Sequence, residues 1–444
     1  MIEAAQLARA NHDDLVARLG TVFARREPRL QAGKYIRGLS SDLPRKNGWT
    51  LAEHAGDRSP DKTQRLLNHA VWDADEAMRI VRDFIVEHLG DPDAVAVLDE
   101  TGQEKKGTHT AGVKPQYVGC AGQVANAVNV VYCTYASARG HAQAGARLYL
   151  PAEWASDPAR RARAGVPPEV EFKTKPQLAL DILTDLRTAG VLPPWVAGDE
   201  VYGRDTRLRE SCEDWAVGYV LGVPCSFPVR LTSGRTVRAD RALKLAPAEA
   251  WNTASCGPGS KGDRTYAWAW IATASPRHHL LVRRNLNDPT DQAYFWCYLP
   301  EGRPATLSTI IRIAGRRWPV EEDFQQGKEH FGLDHSQVRL YTALTRHLAL
   351  AMAALATHAV TAARMRTATS TLPPAPTSPD DRPPADPGLI PLSVAEVKRL
   401  YNLLSRTLHA TAHHLRWNWW RRRHQARARW YHQRTRLRRE AQAA

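Results

Sequence analysis

The chain has 444 residues, of which 43% are hydrophobic, which excludes a disordered protein and provides for a large folded core. Its 61 lysines and arginines outnumber its 46 aspartates and glutamates and give a formal net charge of +15, so we expect a polyanionic partner, either nucleic acid or an anionic membrane surface. The six cysteines are scattered without a C-x-x-C pair, so the sequence shows neither a zinc ribbon nor a redox motif and indicates reduced cytosolic thiols.

Two features of the sequence argue against a membrane partner. The N-terminal residues are polar and lack the apolar run of a signal peptide. The longest apolar stretch, 348–363, is interrupted by His358 and is too short to span a bilayer. We therefore expect a cytoplasmic protein with nucleic acid, and no membrane, as its partner.

Residues 1–92 predict a helical N-terminal domain, because apolar residues recur at helical spacing near both of its ends. Between them, the segment WTLAEHAGDRSPDKTQRLLNHAVW predicts a short helix, a turn and a second helix that carries Lys62 and Arg65. Two helices joined in this way are the frame of a helix-turn-helix DNA reader, so these two residues are candidate DNA contacts. A plain helical bundle that braces the rest of the protein explains the same pattern.

Residues 93–217 predict the first part of an α+β core. The apolar run 94–98 predicts a buried strand that ends at Asp99, and a later short strand, 195–198, ends at Asp199. A three-strand meander and a helix account for the residues between them. If the first and last of these strands pair side by side, both carboxylates point into one space.

The remaining strands of the meander are predicted from short runs separated by glycines. These runs lie at 116–120, 128–135 and 146–150. Gly140 and Gly145 both fall in the connection before the third run, where we expect a turn.

Later segments predict three further parts of the chain. Residues 218–303 are strand-rich and predict a β-rich insertion, after which helical spacing over 304–365 completes the core. Residues 366–390 predict a mobile, proline-rich linker.

The final segment, 391–444, predicts a basic helical tail. Ten arginines and no acidic residue lie between Arg416 and Arg439, a pattern that favours contact with phosphates. The candidate DNA contacts in the tail are Arg421, Arg422 and Arg423. Its tryptophans either pack on the core or stack on unpaired bases, and the sequence leaves both alternatives open.

A third candidate acid lies in the helical segment AGRRWPVEEDFQQGKEHF, where Arg317, Glu321 and Lys328 share one face. Trp318 and Phe324 are expected to anchor the adjacent face. A carboxylate flanked by a guanidinium and an ammonium group suits a site where a metal ion meets a phosphodiester, because the cations can hold the non-bridging oxygens.

Two aspartates at strand ends and one glutamate on a helix form the set of oxygen ligands that Mg²⁺ prefers. Two such ions can activate an attacking oxygen and stabilise a leaving one in phosphodiester chemistry. Glu322 competes with Glu321 for the third position, and the spacing to Arg317 and Lys328 favours Glu321.

The ordered motifs LDETG, AGDEVYG, GLDHSQVR and IPLSVAEVKRL, together with the glutamate helix, resemble those of the DDE transposases of bacterial insertion sequences. In the relevant subgroup this helix carries Tyr, two residues, Arg, three residues, Glu, six residues and Lys. Arg317, Glu321 and Lys328 have that spacing, whereas Ala314 stands at the Tyr position.

The resemblance implies an RNase H-like catalytic core with Asp99, Asp199 and Glu321 as catalytic and metal-binding residues. It implies two Mg²⁺ ions, with Mn²⁺ as a substitute, and cleavage at transposon ends followed by strand transfer into target DNA. The implied partners are double-stranded DNA, both terminal repeats and target, and a second copy of the chain in the DNA complex. Arg339, in the GLDHSQVR motif, is a further candidate DNA contact.

Other functions remain open at this point. A related RNase H-like nuclease would cut DNA without integrating it, and a transposase-derived DNA-binding regulator would do neither. The three acids argue against the regulator. A glycosidase with paired carboxylates does not explain the net charge of +15 or the arginine-rich tail.

Overall fold

The structure, a computed structural model, describes residues 1–119, 122–259, 262–303, 305–372, 381–382 and 384–443. Residues 373–380 and 383 of the predicted proline-rich linker lie outside these residues, as does Cys120 at the end of a predicted strand. The helices are α1 (Ile2–Leu19), α2 (Arg26–Ser40), α3 (Gly48–His54), α4 (Asp61–Asn68), α5 (Ala74–Leu89), α6 (Ala152–Ala155), α7 (Pro158–Arg163), α8 (Lys175–Thr188), α9 (Glu200–Gly203), α10 (Thr206–Asp214), α11 (Ala239–Lys244), α12 (Leu307–Gly315), α13 (Trp318–Phe331), α14 (Tyr341–Thr369), α15 (Val394–Ser405) and α16 (Thr411–Ala443). The strands are β1 (Val95–Glu104), β2 (Lys114–Val118), β3 (Gln123–Ala136), β4 (His141–Leu148), β5 (Trp195–Gly198), β6 (Gly218–Val223), β7 (Pro228–Arg230), β8 (Thr236–Arg238), β9 (Trp251–Gly259), β10 (Gly262–Ala272), β11 (His278–Arg284) and β12 (Gln292–Tyr298).

Among the described residues, ten strands form one mixed sheet in the order β2-β3-β1-β5-β6-β12-β11-β10-β9, with β4 also paired to β3. β1 is antiparallel to β3 and parallel to β5. The predicted α+β fold is therefore confirmed, and so is the side-by-side pairing of the first strand with the strand before Asp199. Helix α8 makes the crossover that a parallel pair requires.

Of the strands of residues 218–303, β6, β9, β10, β11 and β12 lengthen this sheet beyond β5, whereas β7 and β8 form a separate two-stranded sheet. β6 pairs with β5 in parallel and with β12 in antiparallel orientation, and β11, β10 and β9 follow. Trp268 and Phe295 of these strands belong to the same buried cluster as Ile310 of α12. The block is thus continuous with the sheet that carries the aspartates, and its boundaries as a separate insertion remain a prediction.

The turn predicted around Gly145 is wrong, because Gly145 lies inside β4, which begins at His141. A Cβ atom on Gly145 would stand 2.5 Å from Cγ2 of Ile182 in α8. The glycine therefore permits close packing of a helix on the strand, a role that looks like a turn signal when only the sequence is read.

The N-terminal residues are helical, as predicted, and α3 and α4 are the expected pair of short helices. Helix α14 packs among α5, α1, α2 and β4. It is long and apolar enough to cross a membrane, but 83% of its most apolar window is buried inside the protein, as in the core helix of a globular fold.

Candidate active site

Asp99 and Asp199 lie at the same level of neighbouring strands, but β1 continues to Glu104, so the prediction that this strand ends at Asp99 is wrong and only Asp199 follows a strand end. The parallel register pairs Leu98 with Gly198, so the two aspartates follow side by side. The Asp199 carboxylate caps α9 by accepting a 2.9 Å hydrogen bond from the Val201 N–H. The pairing of β1 with β5 and the start of α9 thus hold the two carboxylates beside each other.

Burial gives these two carboxylates an unusual protonation equilibrium. Asp99 is only 8% exposed, and burial is the main cause that raises its pKa to about 7, with Arg317 opposing and Asp199 adding to the shift. Burial, followed by the charge of Glu100, also raises the pKa of Asp199. The raised pKa values indicate that the positive charge of Arg317 does not balance two neighbouring buried carboxylates. A divalent cation would supply the missing positive charge.

Arg317 stands between Asp99 and Glu321. Its Nη2 atom is 3.8 Å from Asp99 Oδ2 and 3.9 Å from Glu321 Oε1. Glu321 therefore faces the buried aspartate across a guanidinium group. Within the described ranges no three His, Cys, Asp or Glu side chains lie close enough to hold a metal ion. Asp99, Asp199 and Glu321 therefore lie in one region of the protein without forming a complete set of metal ligands.

Helix α13 runs along one face of β1. Lys328 Nζ donates a 2.6 Å hydrogen bond to Thr101 Oγ1, two residues beyond Asp99 on the same face of the strand. Gln103, two residues further, donates to the carbonyls of Asp334 and Ser336. Thus Lys328, like Arg317, lies on the face of β1 that carries Asp99.

The two acids that follow Glu321 point elsewhere. His141 of β4 lies between them, with Nε2 3.1 Å from Glu322 and Nδ1 2.8 Å from Asp323. Thr134 Oγ1 also donates a 2.9 Å hydrogen bond to Asp323, which is fully buried. These contacts set the rotation of α13, which supports Glu321 and not Glu322 as the third acid of the site.

We expect Asp323→Asn to lower the free energy of unfolding by about 3 kcal/mol, because it leaves a buried imidazolium without its closest counter-charge. Burial lowers the pKa of His141, but Asp323 and Glu322 outweigh it and raise the pKa to about 9. A raised folded-state pKa means that this stabilisation is complete below about pH 6.5 and is lost as the pH rises through 9. Urea unfolding at pH 6 and pH 9.5 measures it, with exposed Glu329→Gln as the control. Equal losses at both pH values would contradict the ion pair.

A cluster around Glu100 was not foreseen as part of the site. The Glu100 carboxylate accepts hydrogen bonds of 2.5 Å from Lys175 Nζ and 2.7 Å from the Tyr202 hydroxyl. Since Tyr202 belongs to α9, directly after Asp199, this bond links the middle of β1 to the helix that follows β5. Lys175 and Tyr202 stand in the motifs EFKTKP and AGDEVYG, which are the only signal for them in the sequence.

Of the two residues expected to anchor α13, Phe324 does so and Trp318 does not. Phe324 is buried and packs against Tyr132 at a ring distance of 5.3 Å. Trp318 is 47% exposed, and the Arg264 guanidinium lies 5.6 Å from its ring. Because Trp318 is the first residue of α13, its side chain lies beyond the packed turns of the helix.

The candidate DNA contacts outside α13 lie mostly on exposed surface. Lys62 and Arg65 are exposed on α4, and Arg339 is exposed just before α14. A groove of about 570 Å³ separates α3 and α4 from residues 336–340, and Arg339 lines it. In α16 the three arginines differ, since Arg421 pairs with Glu53 while Arg422 and Arg423 are exposed.

Comparison with known proteins gives this geometry a context. A family model described as "DDE superfamily endonuclease" matches residues 18–270, more than half of the chain. The chain is also 24% identical over 311 residues to a "Probable transposase for insertion sequence element IS701" from Microchaete diplosiphon, a match that covers 68% of this chain and 75% of that protein. The family match includes Asp99 and Asp199 and ends before Glu321.

Proposed function

The chain belongs to the DDE superfamily endonucleases, and we propose that it is an insertion-sequence transposase, which cleaves DNA at transposon ends and joins the freed 3′ ends to target DNA. The observation that carries this proposal is the pair of neighbouring buried aspartates, with the pKa of Asp99 raised to about 7, beside Arg317 and Glu321. A related transposase and a basic net charge of +15 support the same partner, double-stranded DNA.

We assign the ligand role to Asp99, Asp199 and Glu321, whose carboxylates suit hard divalent cations. Two Mg²⁺ ions, or Mn²⁺ in their place, would supply activation of the attacking oxygen and stabilisation of the leaving one. Arg317, which contacts Asp99 and Glu321, would hold a non-bridging phosphate oxygen once such cations took over the charge balance of the acids. Lys328 is placed to hold a second oxygen along β1.

The same three acids serve two displacements at phosphorus. In the first, a water oxygen attacks the phosphodiester at the transposon end and the 3′ oxygen leaves as a hydroxyl. In the second, that hydroxyl attacks a target phosphodiester, a new P–O bond forms and the target's own 3′ oxygen leaves. Neither step places DNA on a protein side chain. We further propose that the DNA complex contains two copies of the chain, one for each transposon end.

Incubation of the protein with DNA that carries its flanking terminal repeats, supercoiled target DNA and Mg²⁺ tests the proposal. We expect cuts that map to the repeat ends and joined products in the target, both abolished by EDTA. Cutting without joining would leave a nuclease of the same superfamily. Absence of cutting at the repeats with Mg²⁺ or Mn²⁺ would refute the transposase assignment.

A further inference from the structure

Helix α16 begins as a packed helix on the N-terminal helix pair. Trp417 is fully buried, and its indole N–H donates a 2.8 Å hydrogen bond to the carbonyl of Asp57 in the turn between α3 and α4. Trp420 packs edge to face on Trp49 at 5.1 Å. Two of the four tail tryptophans thus pack on the protein, whereas the other two, Trp419 and Trp430, are more than half exposed.

Polar contacts reinforce this docking at the end of α3. Arg421 forms an ion pair with Glu53, and His413 hydrogen-bonds to the Glu53 carbonyl at 2.9 Å. His409 does the same with the His54 carbonyl at 2.8 Å. Residues 409–424 are therefore fixed to α3 and to the turn that leads into α4, the helix that carries Lys62 and Arg65.

The rest of α16, residues 425–443, continues as an exposed helix about 28 Å long at 1.5 Å per residue. Of its residues whose burial is described, none is buried. This segment carries six arginines together with exposed Trp430, Tyr431 and Leu437, so a partner that covers it must be compatible with its positive charge. Glu440, near the end, is the only acidic residue in this segment. A second copy of this positively charged helix would therefore be repelled, whereas a polyanion would be attracted.

From these contacts we infer that α16 and the α3–α4 pair form one DNA-binding arm, in which the exposed part of α16 lies along the same duplex that α4 contacts. The inference rests on the proposed function, in which duplex DNA is the partner, and on the prediction that Lys62 and Arg65 contact it. A helix of this length spans about eight base pairs at ~3.4 Å each. Arg422, Arg429 and Arg436 of α16 are exposed and follow each other at seven-residue spacing, which places them on one face of the helix.

Salt dependence of binding distinguishes one shared duplex from two separate ones. The probe is a labelled 30-base-pair duplex of arbitrary sequence in EDTA, because phosphate contacts carry no base information. Three variants of the full chain are compared: R422Q/R429Q/R436Q in α16, K62A/R65A in α4, and both sets together. On one duplex each set flattens the log–log salt slope by about 0.9 per lost phosphate contact, and the combined variant flattens it by the sum.

Separate binding sites give a different result. The measured slope would then be that of the tighter site, so one of the two sets would leave it unchanged, which would overturn the inference. The matched control, R235Q/R241Q/K244Q, removes the same charge from exposed positions near α11 and should leave the slope unchanged. A change of sedimentation without a change of slope in the α16 variant would identify a second copy as the partner and would also overturn it.

Docking is tested by Trp417→Ala against Leu415→Ala, whose side chain is 65% exposed on the same turn of α16. The Trp417→Ala variant keeps every arginine, but its undocked helix must become ordered on binding, which makes the free energy of binding less favourable. We therefore expect a several-fold weaker affinity for the duplex with an unchanged salt slope. Equal affinities of the two variants would overturn the shared arm. These experiments measure DNA binding and not cleavage, so their outcomes can be interpreted even if the transposase proposal fails.

Discussion

Asp99→Asn and Asp199→Asn are each expected to reduce cleavage of terminal-repeat DNA at least about 1,000-fold, on the order of 4 kcal/mol of transition-state stabilisation. Asparagine keeps the shape of each side chain but removes the charge that binds a cation. The DNA-binding surfaces contain neither residue, so the affinity for duplex DNA should stay unchanged. Cleavage of end-labelled DNA and fluorescence anisotropy measure the two properties separately.

The two variants should also be more stable than the wild type in the absence of metal. The pKa of Asp99 is about 7 in the folded chain against 3.8 for the free group, so its ionised form destabilises the fold fully above pH 7 and not at all below pH 3.8. We expect a higher melting temperature for Asp99→Asn at pH 8, which excludes misfolding as the cause of lost cleavage. Glu200→Gln is the control, because Glu200 is exposed and pairs with Arg204. Wild-type cleavage by Asp99→Asn would remove Asp99 from the site.

The sequence predicts the parts of this site that follow from local pattern. An apolar run that ends in an acid indicates a buried strand, and two such runs separated by a helix indicate a parallel pair. The spacing of Arg317, Glu321 and Lys328 likewise depends only on helix geometry. These features need no knowledge of distant residues, and the structure places Asp99 beside Asp199 as expected.

Other parts of the site depend on contacts between residues far apart in the chain. The rotation of α13 is set by His141, 182 residues before Asp323. The docking of α16 depends on Trp417 and a carbonyl 360 residues away. A glycine required by a crossing helix, as at position 145, has the same sequence signal as a turn. Composition and periodicity carry no information on such pairs.

Glu321→Gln is expected to abolish cleavage to the same extent as the aspartate variants, at least about 1,000-fold, whereas Glu322→Gln should keep activity within a few-fold of the wild type. Consecutive residues of a helix point about 100° apart, so only one of the two can face the ions. Glu321 lies 3.9 Å from the guanidinium that also contacts Asp99, while Glu322 lies 3.1 Å from His141. Cleavage assays on the two variants at equal DNA occupancy measure the difference.

Stability separates the roles of the two glutamates further. Glu322→Gln removes a counter-charge of His141 and should lower the melting temperature, while Glu321→Gln leaves the packed face of α13 untouched. Binding of Mn²⁺, followed by electron paramagnetic resonance, should weaken in Glu321→Gln only. An inactive Glu322→Gln beside an active Glu321→Gln would reverse the assignment. It would require α13 to turn by about 100° when DNA binds, which would break the contacts of both Glu322 and Asp323 with His141.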